Sequence, residues 1–293
     1  MRLYLSLLLL ACATPASAQQ LYLDTGAEVE WSEVTLSGSN LQAKVKKPDG
    51  TESVAVIPAS KVVRVDWPHP AELSEALSLI LREKYDAALT KAAGVRTIHG
   101  NWKDKPGSWY VPASLLVAEC YIRQKNAAEA EKIVTELKTM TLLSSQQKGL
   151  LMVDALRDLE KNATTPALEK AQRAAQNLDD DSALLARLHL LIGDIRIKQE
   201  QFADALDSYL QVPVFFGAQG QLMPVAELGA ARALFGMQRL ADASKSYTNL
   251  IIRYKGTPEA AAAEKEKIDV DKALAGTPST EKPAAEKPAE EQK

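Results

Sequence analysis

The sequence predicts a mainly helical repeat protein with a small β domain before the helices and an extended tail after them. Apolar residues alternate as in strands up to about Asp66, and they take a helical period from Ala71 to about Leu274. Pairs of small residues recur along the helical stretch at one fixed offset. The stretch from Gly276 to Lys293 repeats Glu-Lys-Pro-Ala and contains no aromatic residue, which is typical of a solvated tail.

The first 18 residues have the pattern of a secretory signal. Arg2 supplies a positive start, Leu3 to Ala11 form an apolar run too short to span a bilayer, and Ala16-Ser17-Ala18 is a small-x-small cleavage site. We therefore expect Gln19 to be the first residue after cleavage. The alternative is a lipid anchor at Cys12, because the four residues that end there resemble a bacterial lipobox.

Composition and cysteine content limit the class of protein. Hydrophobic residues make up 46% of the 293 residues and charged residues 25%, which predicts a folded, soluble body. The net charge of −3 gives no reason to expect nucleic acid or an anionic membrane as a partner, and no later stretch is apolar for long enough to span a bilayer. Cys120 is the one cysteine left after signal removal, so no internal disulfide is expected. These features favour a bacterial periplasm or cell envelope.

Residues 20–67 predict a small β domain. Val29, Trp31 and Val34 begin an alternating pattern, Pro48-Asp49-Gly50 makes a turn, and a valine-rich stretch comes next. Four or five short strands in so short a stretch indicate a bent sheet or a barrel-like domain. The segment from Ile57 to Asp66 resembles the end of an Sm-like or SH3-like barrel. So small a sheet buries little apolar surface alone, and we expect it to pack on the helical region.

Residues 70–274 predict about five helical hairpins. Each hairpin has one small residue in each helix, and the second member recurs roughly every 37–42 residues. Two helices approach closely only where such residues meet. The five pairs are Ala76 with Ala88, Ala118 with Ala130, Ala155 with Ala167, Gly193 with Ala205, and Ala231 with Ala243.

Larger residues at fixed distances from these pairs indicate how the hairpins pack. Tyr85, Phe202 and Leu240 precede the second small residue by three positions, and Tyr209 and Tyr247 follow it by four. Residues at the latter position face the next unit, so each hairpin leaves an apolar face for its neighbour to cover. The sequence therefore predicts a stacked α-solenoid.

These residues resemble tetratricopeptide repeats. The resemblance is clearest in Gly193–Tyr209, which contains Phe202-Ala203-Asp204-Ala205-Leu206, and in Ala118–Lys132. The closing phrase from Leu250 to Ala260 is similar to the ends of repeats in bacterial envelope proteins of this family. The chain departs from the family in its longer period and in lacking the early tryptophan and the closing proline.

The resemblance implies a concave binding surface made by the first helix of each hairpin, which in this family holds extended or helical peptides. The alternative is an ordinary solvated helix face. The polar residues that map to this surface are Glu119, Arg123, Arg187, Asp194, Lys198 and Arg232, beside apolar Leu115, Ile122, Leu190, Leu228 and Phe235.

Aromatic residues in two predicted loops are a second set of candidate contacts. They are Trp102, Trp109, Tyr110, Phe215 and Phe216. Exposed aromatic residues are enriched at protein interfaces. The alternative is that these rings fold back and cover a hydrophobic core.

The sequence gives no pattern for catalysis, and we expect no enzyme activity, cofactor or metal. The three histidines, His69, His99 and His189, lie far apart and show no metal-binding spacing. Cys120 lies in a predicted helix among apolar neighbours, where a cysteine is usually unreactive.

We therefore expect an exported scaffold or adaptor that binds proteins in the bacterial periplasm or envelope. One alternative is an envelope-biogenesis factor similar to the tetratricopeptide proteins of outer-membrane assembly or cell division. Another is a protein that binds a cell-wall glycan or small ligand through the aromatic loops.

Overall fold

A computed structural model describes residues 19–30, 34–37, 40–46, 51–176 and 181–276. In these ranges the protein is mainly helical, with eleven α-helices after a small β region, as the sequence predicts. The predicted signal with Cys12, the strand residue Trp31, the turn at Pro48–Gly50 and residues 277–293 of the predicted tail lie outside the described residues. None of the described helices combines the length and the apolar character needed to cross a membrane.

The strands of the described ranges form two antiparallel sheets of three strands each, in the orders β2-β1-β6 and β3-β4-β5. Their bounds are β1 (Gln20–Leu23), β2 (Glu28–Glu30), β3 (Val34–Ser37), β4 (Asn40–Lys46), β5 (Glu52–Pro58) and β6 (Val62–Asp66). The prediction of a barrel-like domain was wrong, because no pairing between described strands joins the two sheets. A single 3-10 turn, Ala59–Lys61, separates β5 from β6 and sends the chain from one sheet to the other.

The β region packs on the helical region through a shared core. Leu21, Val62 and Val65 are fully buried, and Leu41 of the second sheet is 1% exposed. Trp102, which comes from the helical region, is fully buried in the same cluster. The expectation that the sheets pack on the helical region is therefore confirmed.

Ten helices follow one another as five pairs, each joined by a short turn that we call a hairpin turn, and an eleventh helix comes after them. The bounds are α1 (Ala71–Leu81), α2 (Tyr85–Ile98), α3 (Tyr110–Arg123), α4 (Ala127–Lys138), α5 (Ser144–Glu160), α6 (Thr164–Ala175), α7 (Ser182–Lys198), α8 (Phe202–Phe215), α9 (Met223–Gly236), α10 (Leu240–Arg253) and α11 (Pro258–Gly276).

The same type of backbone turn closes each of the five hairpins. In each, a residue that is not glycine takes a left-handed conformation with φ of 58° or 59°, at Glu83, Lys125, Asn162, Glu200 and Gln238. The next backbone N–H donates to the carbonyl five residues before it, as from Lys84 to Leu79 at 2.9 Å and from Gln201 to Arg196 at 2.9 Å. This is the Schellman arrangement, which satisfies carbonyls at the end of a helix. The repeat is therefore present in the backbone as well as in the side chains.

The small residues that pair the helices are all buried. Nine of the ten are alanines with no exposure, and Gly193 is buried as well. The position four residues after the second small residue is also buried, including Tyr209 at 2% and Tyr247 at 1% exposure. These ten small residues and the five residues that follow the second small residue of each pair by four positions are therefore interior positions, as the sequence predicts.

The chain divides into two compact units, Met1–Val153 and Asp154–Lys293. The first unit contains both sheets, α1 to α4 and the beginning of α5. The second contains the end of α5 and α6 to α11. Each unit has a hydrophobic cluster of its own, which includes Leu21 in the first unit and Tyr247 in the second.

Candidate functional site

In the second unit, Arg232 of α9 holds a carboxylate. Its guanidinium donates three hydrogen bonds to the two oxygens of Glu266 on α11, at 2.6 to 3.1 Å. The hydroxyl of Tyr247 donates to the same carboxylate at 2.9 Å. The hydrogen bond with Glu266 raises the pKa of Arg232 despite its partial burial. A first-helix residue named from the sequence therefore binds a carboxylate in the planar, two-pronged manner of arginine.

Tyr209 of α8 lies between two glycines, and its hydroxyl contacts Asp194, another residue that the sequence assigned to the first-helix surface. An ideal Cβ would lie 2.6 Å from the tyrosine ring if placed on Gly193 of α7, and 2.4 Å if placed on Gly229 of α9. The hydroxyl donates to Asp194 at 2.7 Å. Burial and then the charge of Asp194 raise the pKa of Tyr209, so it stays a donor. Asp194 therefore has a fixed position on the first-helix surface.

The other two predicted cations of this unit lie on α7. Lys198 is exposed, and its Nζ donates to the backbone carbonyl of Leu159 near the end of α5 at 3.3 Å. Arg187 is half-buried. The apolar neighbours Leu190 and Leu228 are each only 6% exposed. The chemistry that this surface offers is therefore mainly that of charged groups.

In the first unit, the two predicted polar residues differ in access. Glu119 is 6% exposed, so it offers little surface to a partner, and Arg123 is half-buried in the last turn of α3. Ile122 is buried, and Leu115 packs on Gly149 of α5, where an added Cβ would lie 2.6 Å from its Cδ1. Arg123 is the more accessible of the two.

The predicted loop contacts at Trp102 and Tyr110 were wrong, because both side chains are buried. Trp102 is fully buried in the core that joins the sheets to the helices. Tyr110 is 5% exposed and is the first residue of α3, so it does not lie in a loop. For these two residues the structure supports the alternative in which the ring folds into the interior.

Tyr110 belongs to a polar network that sequence reasoning missed. Its hydroxyl donates to Glu136 at 2.5 Å and accepts from Arg96 at 2.8 Å. Arg96 also donates to Glu136 at 2.5 Å and to Ser114 at 3.0 Å. Burial, with the hydrogen bond to Glu136, raises the pKa of Tyr110 to about 12. The members lie on α2, α3 and α4 with no shared spacing, so no sequence signal marked them.

The remaining aromatic candidates differ in access. Trp109 is half-buried, and its indole N–H donates to the backbone carbonyl of Trp67 at 3.1 Å. Phe216 is half-buried, with its ring centre 5.7 Å from that of His189. Phe215, the last residue of α8, is 68% exposed. Phe215 is therefore the most accessible of the five candidates.

A cavity of about 490 Å³ lies in the first unit, between the segment that leads into α1 and one face of α2. Its walls include Trp67, His69, Gly94, Ile98 and His99. The sequence presented His69 and His99 as isolated histidines, and only the fold brings them to one cavity. We name this space the α2 cavity.

Comparison of the chain with known proteins gives no assignment. No protein-family model matches the chain, and no curated protein matches it. Within the described ranges, no group of three or more His, Cys, Asp or Glu side chains is arranged to hold a metal ion.

Proposed function

We propose that this chain is an exported tetratricopeptide-like scaffold without catalytic activity, which binds other proteins in a bacterial periplasm or envelope. The observation that supports the proposal most is the contact between Arg232 and Glu266. There, a first-helix guanidinium binds a carboxylate presented by another helix. A partner segment that presents carboxylates to the first helices would use the same chemistry.

The repeated backbone turn supports the tetratricopeptide-like part of the proposal. Five hairpins end their first helix in the same left-handed turn, with buried small residues on either side of it. Hairpins that repeat at a period of 20–50 residues are characteristic of solenoids, whose first or second helices form extended binding surfaces. The recurrence of one turn geometry favours this class over an irregular helical bundle.

The cations that lie on the first helices define the chemistry of the proposed contact. Arg123 in the first unit, and Arg187 and Lys198 in the second, lie on first helices with at least partial exposure. We therefore propose that each unit binds an acidic stretch of a partner protein. Glu119 is too buried to belong to this surface.

The two alternative functions have less support. A cell-wall glycan would stack on exposed aromatic rings, and Trp102 and Tyr110 are buried. The phrase that resembles envelope-biogenesis proteins has a structural role here, since Tyr254 donates to Glu227 at 2.8 Å and Thr257 accepts from the N–H of Ala260 at 3.2 Å at the start of α11. We therefore favour a general adaptor over either alternative.

Charge reversal tests the proposal. We expect the double variant Arg123→Glu and Arg187→Glu to reduce the amount of partner protein that co-purifies after mild in-cell crosslinking by at least about tenfold, because like charges replace attraction. Lys245→Glu is the matched control, since Lys245 is exposed on the second helix α10. Equal recovery of partner with the double variant and the control would contradict the proposal.

A further inference from the structure

The sequence contains one acceptor triplet for N-linked glycosylation, Asn162-Ala163-Thr164. Such a triplet is asparagine, then any residue except proline, then serine or threonine. The other asparagines have neither serine nor threonine two positions later, and they are Asn40, Asn101, Asn126, Asn177 and Asn249. A pattern of three residues arises easily by chance, so its place in the fold decides whether it can serve as an acceptor.

The triplet lies in the hairpin turn between α5 and α6. Asn162 is exposed and takes the left-handed conformation of that turn, with φ of 58°. Thr164 is the first residue of α6 and is half-buried. Within the described residues, neither the side-chain amide of Asn162 nor the hydroxyl of Thr164 has a hydrogen-bond partner. The fold therefore uses neither of the two groups that define the acceptor.

The left-handed backbone does not by itself require asparagine at this position. The other four hairpin turns place Glu83, Lys125, Glu200 and Gln238 at φ of 58° or 59°. Asparagine tolerates this conformation better than most residues, but these turns form with other residues as well. The conformation of the turn therefore leaves the choice of Asn162 unexplained.

Capping of the following helix does not explain Asn162 either. In the second hairpin turn the side chain of Asn126 caps α4, where it accepts the N–H of Glu129 at 3.4 Å. In the third hairpin turn the cap position of α6 belongs to Ala163, and no side chain caps this helix. Asn162 precedes that cap by one residue, so its amide stays at the surface.

The residues around the triplet favour the transfer of a glycan. Glu160 is exposed two positions before Asn162, and an acidic residue there completes the longer acceptor, Asp/Glu-x-Asn-x-Ser/Thr, of bacterial N-linked glycosylation. The buried residues of α6 are alanines, Ala167, Ala171 and Ala174, which bury little apolar area. The first turn of α6 can therefore open at small cost and let this segment enter the site of an enzyme.

We propose that Asn162 is the attachment site of an N-linked glycan, which a membrane oligosaccharyltransferase adds after export. The donor is an oligosaccharide carried on a lipid diphosphate. Nδ2 of Asn162 forms a bond with the anomeric carbon of the first sugar, and the bond between that carbon and the phosphate oxygen breaks. The lipid diphosphate leaves with the bonding electron pair, and Nδ2 gives up one proton to a base of the enzyme. This inference rests on the export of the chain in the proposed function and not on the partner surface.

Mass spectrometry of the mature protein from its own cells tests this inference. We expect an intact mass above that of residues 19–293 by at least one sugar residue. Electron-transfer fragmentation of the tryptic peptide that contains Asn162 should place the sugar on this residue. An exported chain that carries no sugar on Asn162 would overturn the proposal.

Four variants localise the modification. Asn162→Gln should abolish it, and the turn should still form because Gln238 takes the same conformation in the fifth hairpin turn. Thr164→Ala should also abolish it, whereas Thr164→Ser keeps the hydroxyl and should retain it. Thr165→Ala is the matched control, since Thr165 is exposed beside the triplet but outside it. A sugar that persists in Asn162→Gln, or one that is lost in Thr165→Ala, would refute the assignment.

A reaction with purified components separates this inference from export. The purified chain of residues 19–293 would be incubated with a bacterial oligosaccharyltransferase and a lipid-linked oligosaccharide. We expect a glycosylated product from this chain, less product from Glu160→Gln and none from Asn162→Gln. A wild-type chain that does not react would refute Asn162 as an acceptor. A chain that reacts here but stays inside its own cells would support the acceptor and contradict export alone.

Discussion

Gly94 and Gly193 both lie inside helices, but they differ in the space around them. This difference decides whether a larger residue could replace the glycine. At Gly193 an added methyl group would lie 2.6 Å from the ring of Tyr209. At Gly94 it would meet nothing within 4 Å. The first glycine is required for packing, whereas the second lowers the stability of its helix for no packing reason.

Substitution by alanine should change the free energy of unfolding in opposite directions at these two glycines. Gly94→Ala should raise the free energy of unfolding by about 1 kcal/mol, because alanine is the better helix former. Gly193→Ala should lower it by roughly 1–3 kcal/mol, because the buried ring of Tyr209 has to shift. Urea unfolding of both variants measures these changes. A loss of stability in Gly94→Ala would show that the cavity wall is packed more tightly than the open space beside Gly94 implies.

The burial of His99 predicts that the stability of the protein depends on pH. Burial lowers its pKa from 6.5 to about 4 in the folded protein. The folded state therefore resists protonation, and the stability that depends on neutral His99 is complete above pH 6.5 and is lost as the pH falls towards 4. Relative to His99→Phe, we expect the wild type to lose about 2 kcal/mol between about pH 7.5 and pH 5.

Denaturant unfolding of both proteins at the two pH values checks this prediction. The carboxylates and the other two histidines titrate in both proteins, so their effects cancel in the comparison. Equal pH dependence in the two proteins would mean that His99 is accessible to protons in the folded state.

At the scale of the element, the five left-handed turns are the most regular feature of the chain. Their residues are Glu, Lys, Asn, Glu and Gln, none of which has the freedom of glycine at positive φ. Each turn therefore carries a small conformational cost that its helix and hydrogen bonds overcome. The sequence did not reveal these turns, because glycine is the residue that normally marks them.

Glycine at such a turn should stabilise the protein. We expect Glu200→Gly to raise the free energy of unfolding by roughly 0.5–1 kcal/mol, since it removes the cost of φ at 58°. Asp207→Gly, at an exposed position inside α8, is the control and should be destabilising. Thermal unfolding of the two variants distinguishes them, and a destabilised Glu200→Gly would show that the left-handed residue carries no such cost.

The contact between α9 and α11 depends on Arg232 and Glu266. A double-mutant cycle with alanine at both positions should give a coupling of about 1 kcal/mol, because the pair is bidentate and only partly exposed. Lys272 and Asp269, both on α11, are about three-quarters exposed and 3.9 Å apart, and their coupling should be near zero. Similar coupling energies for the two pairs would contradict the expectation that Arg232 and Glu266 stabilise the contact between α9 and α11.

At the scale of the whole molecule, periodicity predicted the helical class, the β region before it and the paired small residues. All ten of those residues are buried, because the need for close approach acts directly on residue size. The two separate sheets could not be predicted, since alternation indicates strands but not their partners.

The candidate sites were less predictable for a physical reason. The sequence named His99 but could not bring it to Trp67 and Gly94, because that cavity forms only when the segment before α1 folds against α2. Arg96, Tyr110 and Glu136 were equally hidden, since their network joins three helices. The sequence assigned Arg232 to the first-helix surface, and the structure places its guanidinium on the carboxylate of Glu266, a partner that the sequence did not indicate.

Position-specific photo-crosslinking in cells tests the central claim, that the first helices bind other proteins, most directly. A photo-reactive residue would replace Arg123 or Arg187 on first helices, and Asp207 or Lys245 on second helices as controls. We predict crosslinks to one and the same envelope protein from the first-helix positions, at yields at least about tenfold above the controls. Equal yields from both sets, or crosslinks only between copies of this chain, would contradict the claim.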